Sequence, residues 1–291
     1  MKISVVGPGA LGCMFAARLS NSGATTTLID HDPVRAKALA ESGLFVETAS
    51  GSFSAKPNVS LEIPPKQNLI LILTKAHATK SLKLPPDTPV LTLQNGLGNI
   101  ETLCDQVGNT NVLGGTTSEA CTLLEPGRVR HTASGLTRIG AWTSCPVEEA
   151  ASALTASGFE IEIVDSPGQA VWEKVVISAG INPLTALLNV PNGKLLESIE
   201  SRELLRDLVA EASKVASIEG YRFRYSLIER AEAVCRDTAD NISSMLQDIR
   251  AGRHTEIDEI SGEILRRGEG AALPTPRTRV VWQLIKSLER S

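Results

Sequence analysis

Six residues, Gly7-Pro8-Gly9-Ala10-Leu11-Gly12, place Gly-x-Gly-x-x-Gly between an apolar run, Ile3 to Val6, and a segment of helical periodicity. Glycine at this spacing permits a tight turn, lets backbone N–H groups approach a pyrophosphate and sets a helix N-terminus behind them. The chemistry expected is dinucleotide binding, with a plain structural turn as the alternative. Asp30 closes the next strand candidate, where an acidic side chain accepts hydrogen bonds from adenosine ribose hydroxyls and disfavours a 2′-phosphate. His31 and Arg35 beside it offer positive charge to such a phosphate, or else occupy the solvated first turn of a helix begun by Asp32-Pro33. These residues leave NAD(H) and NADP(H) evenly matched.

Two further sets follow strand candidates. Lys75 comes directly after the apolar run Leu69 to Leu73, so its ammonium belongs at a strand's C-terminal end, where open α/β sheets bind ligands. Gln94-Asn95-Gly96-Leu97-Gly98 repeats that placement, with glycines that admit close backbone approach and an asparagine able to donate and accept at once. A surface lysine and an ordinary turn satisfy the same patterns.

In the second half, Lys174, Ser178 and Asn182 fall four residues apart within an otherwise apolar helical segment, so an ammonium, a hydroxyl and an amide share one edge. A lysine held against apolar surface has a lowered pKa and suits proton donation near neutrality, although a snorkelling side chain fits the pattern too. Glu256 and Asp258, preceded by Thr255, are accounted for by helix capping and the helix macrodipole.

The elements that must hold these residues change character along the chain. Strand candidates at Ile3 to Val6, Thr25 to Ile29, Leu69 to Leu73, Val90 to Leu93 and Val112 to Leu113 alternate with helical segments such as Ala10 to Asn21, as in parallel βαβ units. All-strand stretches follow at Val129 to Ile139 and Phe159 to Val164. Beyond Pro167 the periodicity is helical, with helices expected over Val171 to Ala179, Arg202 to Glu219, Ser226 to Asp240 and Glu256 to Arg267. Breaks are expected at Pro183, Pro191, Pro274 and Pro276. The reading is an N-terminal α/β dinucleotide-binding domain over residues 1–166 and an all-α domain over 167–291, whose joint is a common place for an active-site cleft.

Composition narrows the partners. The 291 residues carry 29 Lys and Arg against 33 Asp and Glu, a net charge of −4, which offers no basic field to a nucleic acid. A hydrophobic share of 42% is ordinary for a globular chain with a sizeable core. The start reads as a strand rather than an export signal, and Leu69 to Leu73 is too short to span a bilayer. The five cysteines, Cys13, Cys104, Cys121, Cys145 and Cys235, lack disulfide-framework or zinc-site spacing. A cytoplasmic protein with no metal and no membrane partner is expected, and its long amphipathic helices suit a homodimer.

Taken together the segments resemble the ketopantoate reductase (2-dehydropantoate 2-reductase) family over essentially the whole chain. The resemblance is carried by GPGALG at Gly7, LTKA around Lys75, QNGLG around Asn95, GGTTSEA at Gly114, INPLTALLNVPNG from Ile181 to Gly193, and NISSMLQDIRAGRHTEID from Asn241 to Asp258. It implies a Rossmann-like domain followed by a helical substrate-binding and dimerisation domain. The reaction implied is reduction of 2-dehydropantoate to (R)-pantoate with NADP(H), on the route to pantothenate and coenzyme A.

By the same resemblance Lys174 is the general acid, and Glu256 is the acidic residue near cofactor and substrate. Asn95, Lys75 and Cys121 match cofactor positions, and Asn95 also touches substrate. Asn182, Asn192, Asn241, Ser243 and Ser244 match substrate positions. Two places depart from the family pattern. Ser178 stands where close relatives carry an asparagine that binds substrate hydroxyls, and Asp30-His31 stands where NADPH-using members often place arginine. Two rivals stay open: a dehydrogenase acting on another branched 2-oxo acid, which Ser178 motivates, and a non-catalytic dinucleotide sensor that kept the fold.

Overall fold

The computed structural model describes residues 1–289, which divide into two compact units. One comprises residues 1–94 and 99–170, and the other residues 95–98 and the described residues from 171 onward. Among the described residues no helix is long and apolar enough to cross a membrane.

The first unit begins as its sequence predicts, with β1 (Lys2–Val6), α1 (Ala10–Asn21) and β2 (Thr25–Ile29). It continues through α2 (Pro33–Ser42), β3 (Leu44–Thr48), β4 (Gly51–Ala55), β5 (Asn58–Ser60), β6 (Leu69–Ile72), a 3-10 turn (Ala76–Ser81), β7 (Val90–Thr92) and α3 (Asn99–Val107). It closes with β8 (Val112–Thr117), β9 (Ala120–Glu125), β10 (Arg128–Ala133), β11 (Thr137–Ala141), α4 (Glu148–Ala156) and β12 (Ile161–Ile163).

Eight strands form one sheet in the order β12-β11-β8-β7-β6-β1-β2-β5, parallel except for the β8–β11 pair. Strands β6 and β7 are buried at every position, as expected of parallel strands covered on both faces. Helix α1 packs Cys13 to Ala17 and Leu19 into the core, where Phe15 stacks on Phe159 with ring centroids 4.0 Å apart. Each large apolar side chain buried there contributes about 1.5–3 kcal/mol.

A second sheet, in the order β4-β3-β10-β9, is absent from the sequence expectations. Strand β4 reads Gly-Ser-Phe-Ser-Ala and is largely solvent-facing, so it lacks the apolar alternation that marks a strand. The expected single stretch from Val129 to Ile139 is in fact two strands in different sheets, with β10 in the smaller and β11 in the larger.

The second unit is built from helices. Helix α5 (Pro167–Leu188) enters it at Val171, followed by a 3-10 turn (Asn192–Leu196), α6 (Ile199–Ile218), α7 (Leu227–Asp237) and α8 (Ser244–Arg250). A single π-helical turn (Asp258–Gly262), α9 (Glu263–Gly270) and α10 (Pro276–Leu288) complete it. Caps fix several starts: Ser198, Ser226 and Ser243 each accept a hydrogen bond from a backbone N–H two or three residues into the helix that follows.

Pro183 does not break α5, which runs through it. A proline inside a helix costs about 3 kcal/mol. Here Ile181, Leu184 and Ala186 are buried around it, and Thr185 Oγ1 donates to the Ile181 and Asn182 carbonyls, so tertiary packing outweighs the local penalty. The helix expected over Glu256 to Arg267 is present as an unbroken helical stretch, in which the π turn runs directly into α9.

Candidate active site

In the first unit, β2 lies on one side of β1 and β6 on the other, so the chain reverses its direction of sheet growth beside β1. Open α/β sheets bind ligands beyond the carboxyl ends of strands at such a switch point. The loop after β1 holds Gly7 to Gly9, and the loop after β6 holds Thr74 and Lys75. Gly7 adopts φ +110°, and a Cβ there would come 2.6 Å from the Thr74 nitrogen. A Cβ on Gly12 would sit 1.8 Å from the Gly7 carbonyl oxygen, whereas one on Gly9 would meet nothing within 4 Å. Two glycines thus close the turn, and the third leaves open space at the start of α1. This cradle fits a pyrophosphate at a helix N-terminus.

At the end of β2, Asp30 is wholly buried and its carboxylate is occupied. Arg35 donates through Nε to Oδ2 and through an Nη to Oδ1, both at 2.6 Å, and the Asp32 backbone N–H donates to Oδ1 at 3.0 Å. The Arg35 side chain remains one-third exposed, and His31 is exposed. Lys75 is partly buried just before the 3-10 turn Ala76–Ser81. Cys121 in β9 lies opposite His131 in the smaller sheet and packs against the core that contains Cys13. Burial pushes its thiol up to about 12, with Glu119 adding to the effect.

The second unit gathers the remaining candidates. On α5, Lys174, Ser178 and Asn182 are each partly open on a helix whose other positions are mostly buried, so the expected polar edge is present. Thr185 Oγ1 and Ser243 Oγ are hydrogen-bonded at 2.7 Å, which brings the start of α8, with exposed Asn241 and Ser244, beside the Asn182 end of α5. Ser243 itself is buried and caps α8 by accepting from the Leu246 N–H. Asn192 is buried too: its Nδ2 donates to Thr238 Oγ1 at 2.8 Å and its backbone N–H to the Asn241 carbonyl at 3.0 Å. Both residues therefore shape the loop that presents Asn241 and Ser244.

The loop Asn95–Gly98 belongs to this helical unit, although it follows a strand of the sheet. Asn95 Nδ2 donates to Glu256 Oε2 at 3.0 Å, and Glu256 is 6% exposed. The Leu97 N–H donates to the Glu259 carbonyl at 2.8 Å. Gly96, at φ +87°, passes so close that a Cβ would lie 2.6 Å from Glu259 Cβ. Capping is only part of the account for this segment: Thr255 Oγ1 does accept from the Ile257 N–H, but the Glu256 carboxylate is directed to Asn95.

Burial lowers the pKa of Lys174 to about 8, while the nearby Glu256 carboxylate acts in the opposite direction. At neutral pH the ammonium is populated yet close to release, which suits a general acid. Gln94 stands in the motif named above, but the sequence gives its side chain no role of its own. Its Nε2 donates to the Thr74 carbonyl and to Thr79 Oγ1, both at 2.9 Å, tying together the loops after β6 and β7. An amide directly after a buried strand was the available signal.

Comparison with known proteins matches both parts of the chain. The family described as "Ketopantoate reductase PanE/ApbA" matches residues 3–144, and "Ketopantoate reductase PanE/ApbA C terminal" matches residues 168–289. The chain belongs to the ketopantoate reductase family. A 2-dehydropantoate 2-reductase of Halobacterium salinarum is 34% identical over 301 residues, covering 100% of this chain and 99% of the relative. That of Pyrococcus horikoshii is 32% identical, covering 99% and 98%. Among solved structures, a PanE/ApbA family ketopantoate reductase from Ralstonia eutropha superposes with a TM-score of 0.91 at 28% identity, covering 100% and 99%. A D-mandelate dehydrogenase with NADH and anilino(oxo)acetate gives 0.93 at 28% identity, also covering 100% and 99%. As a ketopantoate reductase family member, the chain has the α/β unit and helical unit that its motifs implied.

Proposed function

We propose that this protein is a 2-dehydropantoate 2-reductase, reducing the ketone of 2-dehydropantoate to (R)-pantoate with a nicotinamide dinucleotide. The observation that carries the reading is the grouping of Lys174, Glu256 and Asn95 in one unit, with the Lys174 pKa near 8, in a chain whose relatives bear that name. A bound reduced nicotinamide supplies hydride to the ketone carbon. As charge develops on the ketone oxygen, the Lys174 ammonium gives up a proton to it, and the amine recovers a proton from water. Glu256 holds the Asn95 amide and favours the charged state of Lys174. Asn182 and Ser178 are suited to the substrate hydroxyls, and Ser244 to its carboxylate. Gly7 to Gly12 and Lys75 would hold the pyrophosphate and neighbouring parts of the dinucleotide.

For the cofactor, the reading is NADPH in preference to NADH. Both oxygens of Asp30 are taken by Arg35, so the carboxylate is neutralised and a ribose diol would have to displace an ion pair. The pair holds a part-exposed guanidinium at the strand end, where a 2′-phosphate would lie. An Arg35→Ala variant is expected to lower the NADPH:NADH ratio of kcat/KM about tenfold or more, since a charge-assisted hydrogen bond is worth about 1.5–3 kcal/mol. An unchanged ratio removes Arg35 from selection.

A second reading has specific support: Ser178 is shorter than asparagine, and a D-mandelate dehydrogenase is among the similar structures. On that reading the substrate is a bulkier 2-oxo acid. Comparing kcat/KM for 2-dehydropantoate with that for aromatic and branched 2-oxo acids decides between them, and a clear preference for a bulkier acid overturns the first. The expected assembly is a homodimer in the cytoplasm.

A further inference from the structure

Two side chains of α10 and that of the residue capping its C-terminus grip the segment that carries Glu256. Trp282, Lys286 and Glu289 are spaced so that they share one face of the helix end. Trp282 Nε1 and Lys286 Nζ donate to the two oxygens of Asp258, each at 2.8 Å. Glu289 Oε1 accepts from the Thr255 backbone N–H at 2.8 Å and from Thr255 Oγ1 at 2.7 Å, and Glu289 Oε2 lies 3.0 Å from Lys286 Nζ. Glu256 therefore sits in a turn pinned on both sides, at Thr255 and at Asp258. The π turn that follows presents the Glu259 carbonyl to Leu97, so the Asn95 loop is fixed against the same segment.

The Glu289 side chain is 3% exposed. A buried carboxylate is costly unless its partners are well placed. Burial alone would push its pKa up, but Thr255 and Lys286 together hold it below the usual carboxylate range. Loss of the Glu289 carboxylate releases two donors of Thr255 and the restraint on the turn, while Asp258 keeps Trp282 and Lys286.

We propose that Glu289 is a positioning residue for the reduction: by fixing Thr255 it sets the Glu256 carboxylate where it meets both Asn95 and Lys174. The inference rests on the catalytic reading of Lys174 and Glu256 given above. The charged groups around the turn are Lys174 from α5, Asp258 and Glu259 from the π turn, Lys286 from α10 and Glu289 at its C-terminal cap. Of these, Lys174 is the group whose proton affinity Glu256 supports.

The test is steady-state reduction of 2-dehydropantoate by wild type, Glu289→Ala, Glu289→Gln and Lys174→Ala, each across pH 6–10 and well below its Tm. Glu289→Ala is expected to lower kcat about tenfold and to move the basic limb of the kcat profile to lower pH, with the KM for the dinucleotide within about twofold. Glu289→Gln keeps an acceptor for Thr255 and is expected to recover most of kcat. Thr255→Val, which removes one of the two donors, is the reading to take if Glu289→Ala does not fold, and the same displaced limb is expected. A lowered Tm with kcat and the basic limb unchanged overturns the positioning role while leaving the catalytic reading intact. Undiminished turnover in Lys174→Ala overturns both.

Discussion

Asn95 and Glu256 are 161 residues apart in sequence, yet the amide of one donates to the carboxylate of the other at 3.0 Å. A short loop inserted after β7 belongs by its contacts to the helical unit, and there it reaches the acid that faces Lys174. The pair joins three separately ambiguous residues into one arrangement of carboxylate, amide and ammonium.

Lys174 sets the pH dependence. If its ammonium is the proton donor, as proposed, its pKa of about 8 makes kcat flat from pH 6 to 7 and declining as pH rises through about 8. Replacing Glu256 by Gln removes the influence that raises this pKa, so the decline is expected to begin at lower pH. A basic limb in the same place for both enzymes would contradict the coupling.

Gly12→Ala tests the dinucleotide cradle. The new Cβ would lie 1.8 Å from the Gly7 carbonyl oxygen, so the β1–α1 turn must open. Overpacking of this kind costs about 1–3 kcal/mol. The dissociation constant for the reduced dinucleotide, read from its fluorescence on titration, is expected to rise at least tenfold.

His131 and Glu119 form a buried pair in the first unit, with His131 Nε2 on Glu119 Oε2 and both side chains under a tenth exposed. Removing the imidazole strands a buried carboxylate, so His131→Ala is expected to cost about 3 kcal/mol in urea unfolding. His131→Gln, which retains a donor, is expected to cost less than half of that.

Glu232 bonds to Arg202 and Arg206, with Arg236 nearby, and the Arg202 and Arg206 guanidiniums hold its carboxyl at about 2, below the ordinary 4.5. A depressed carboxyl stabilises the fold above its unfolded-state pKa, and that contribution fades as pH falls from about 4.5 toward 2. The guanidiniums are roughly half exposed, so screening limits the effect to about 1 kcal/mol. The stability gap between wild type and Glu232→Gln is expected to be constant from pH 6 to 8 and to close near pH 2.

Local signals were legible in the sequence. The glycine turn, α1 and β2 were each fixed by periodicity and by residues a few positions away, and the polar edge of α5 followed from the helical repeat. Features that depend on distant partners were not. Glu256 reads as a helix-capping acid until Asn95 is beside it, and Pro183 reads as a break until the buried apolar neighbours on both sides are counted. The smaller sheet escaped because β4 shows solvent-facing Gly and Ser in place of an apolar alternation. Glu289, near the end of the chain, gave no signal beyond a charged helix terminus, since its meaning lies in Thr255.

The central claim is that Lys174 protonates a 2-oxo acid as it is reduced. Oxidation of NADPH followed by its ultraviolet absorbance, with 2-dehydropantoate as substrate, tests this directly in wild type and Lys174→Ala. The account predicts turnover by wild type and a kcat lower by a factor of about 10² or more in the variant. Equal turnover by the two proteins would contradict it.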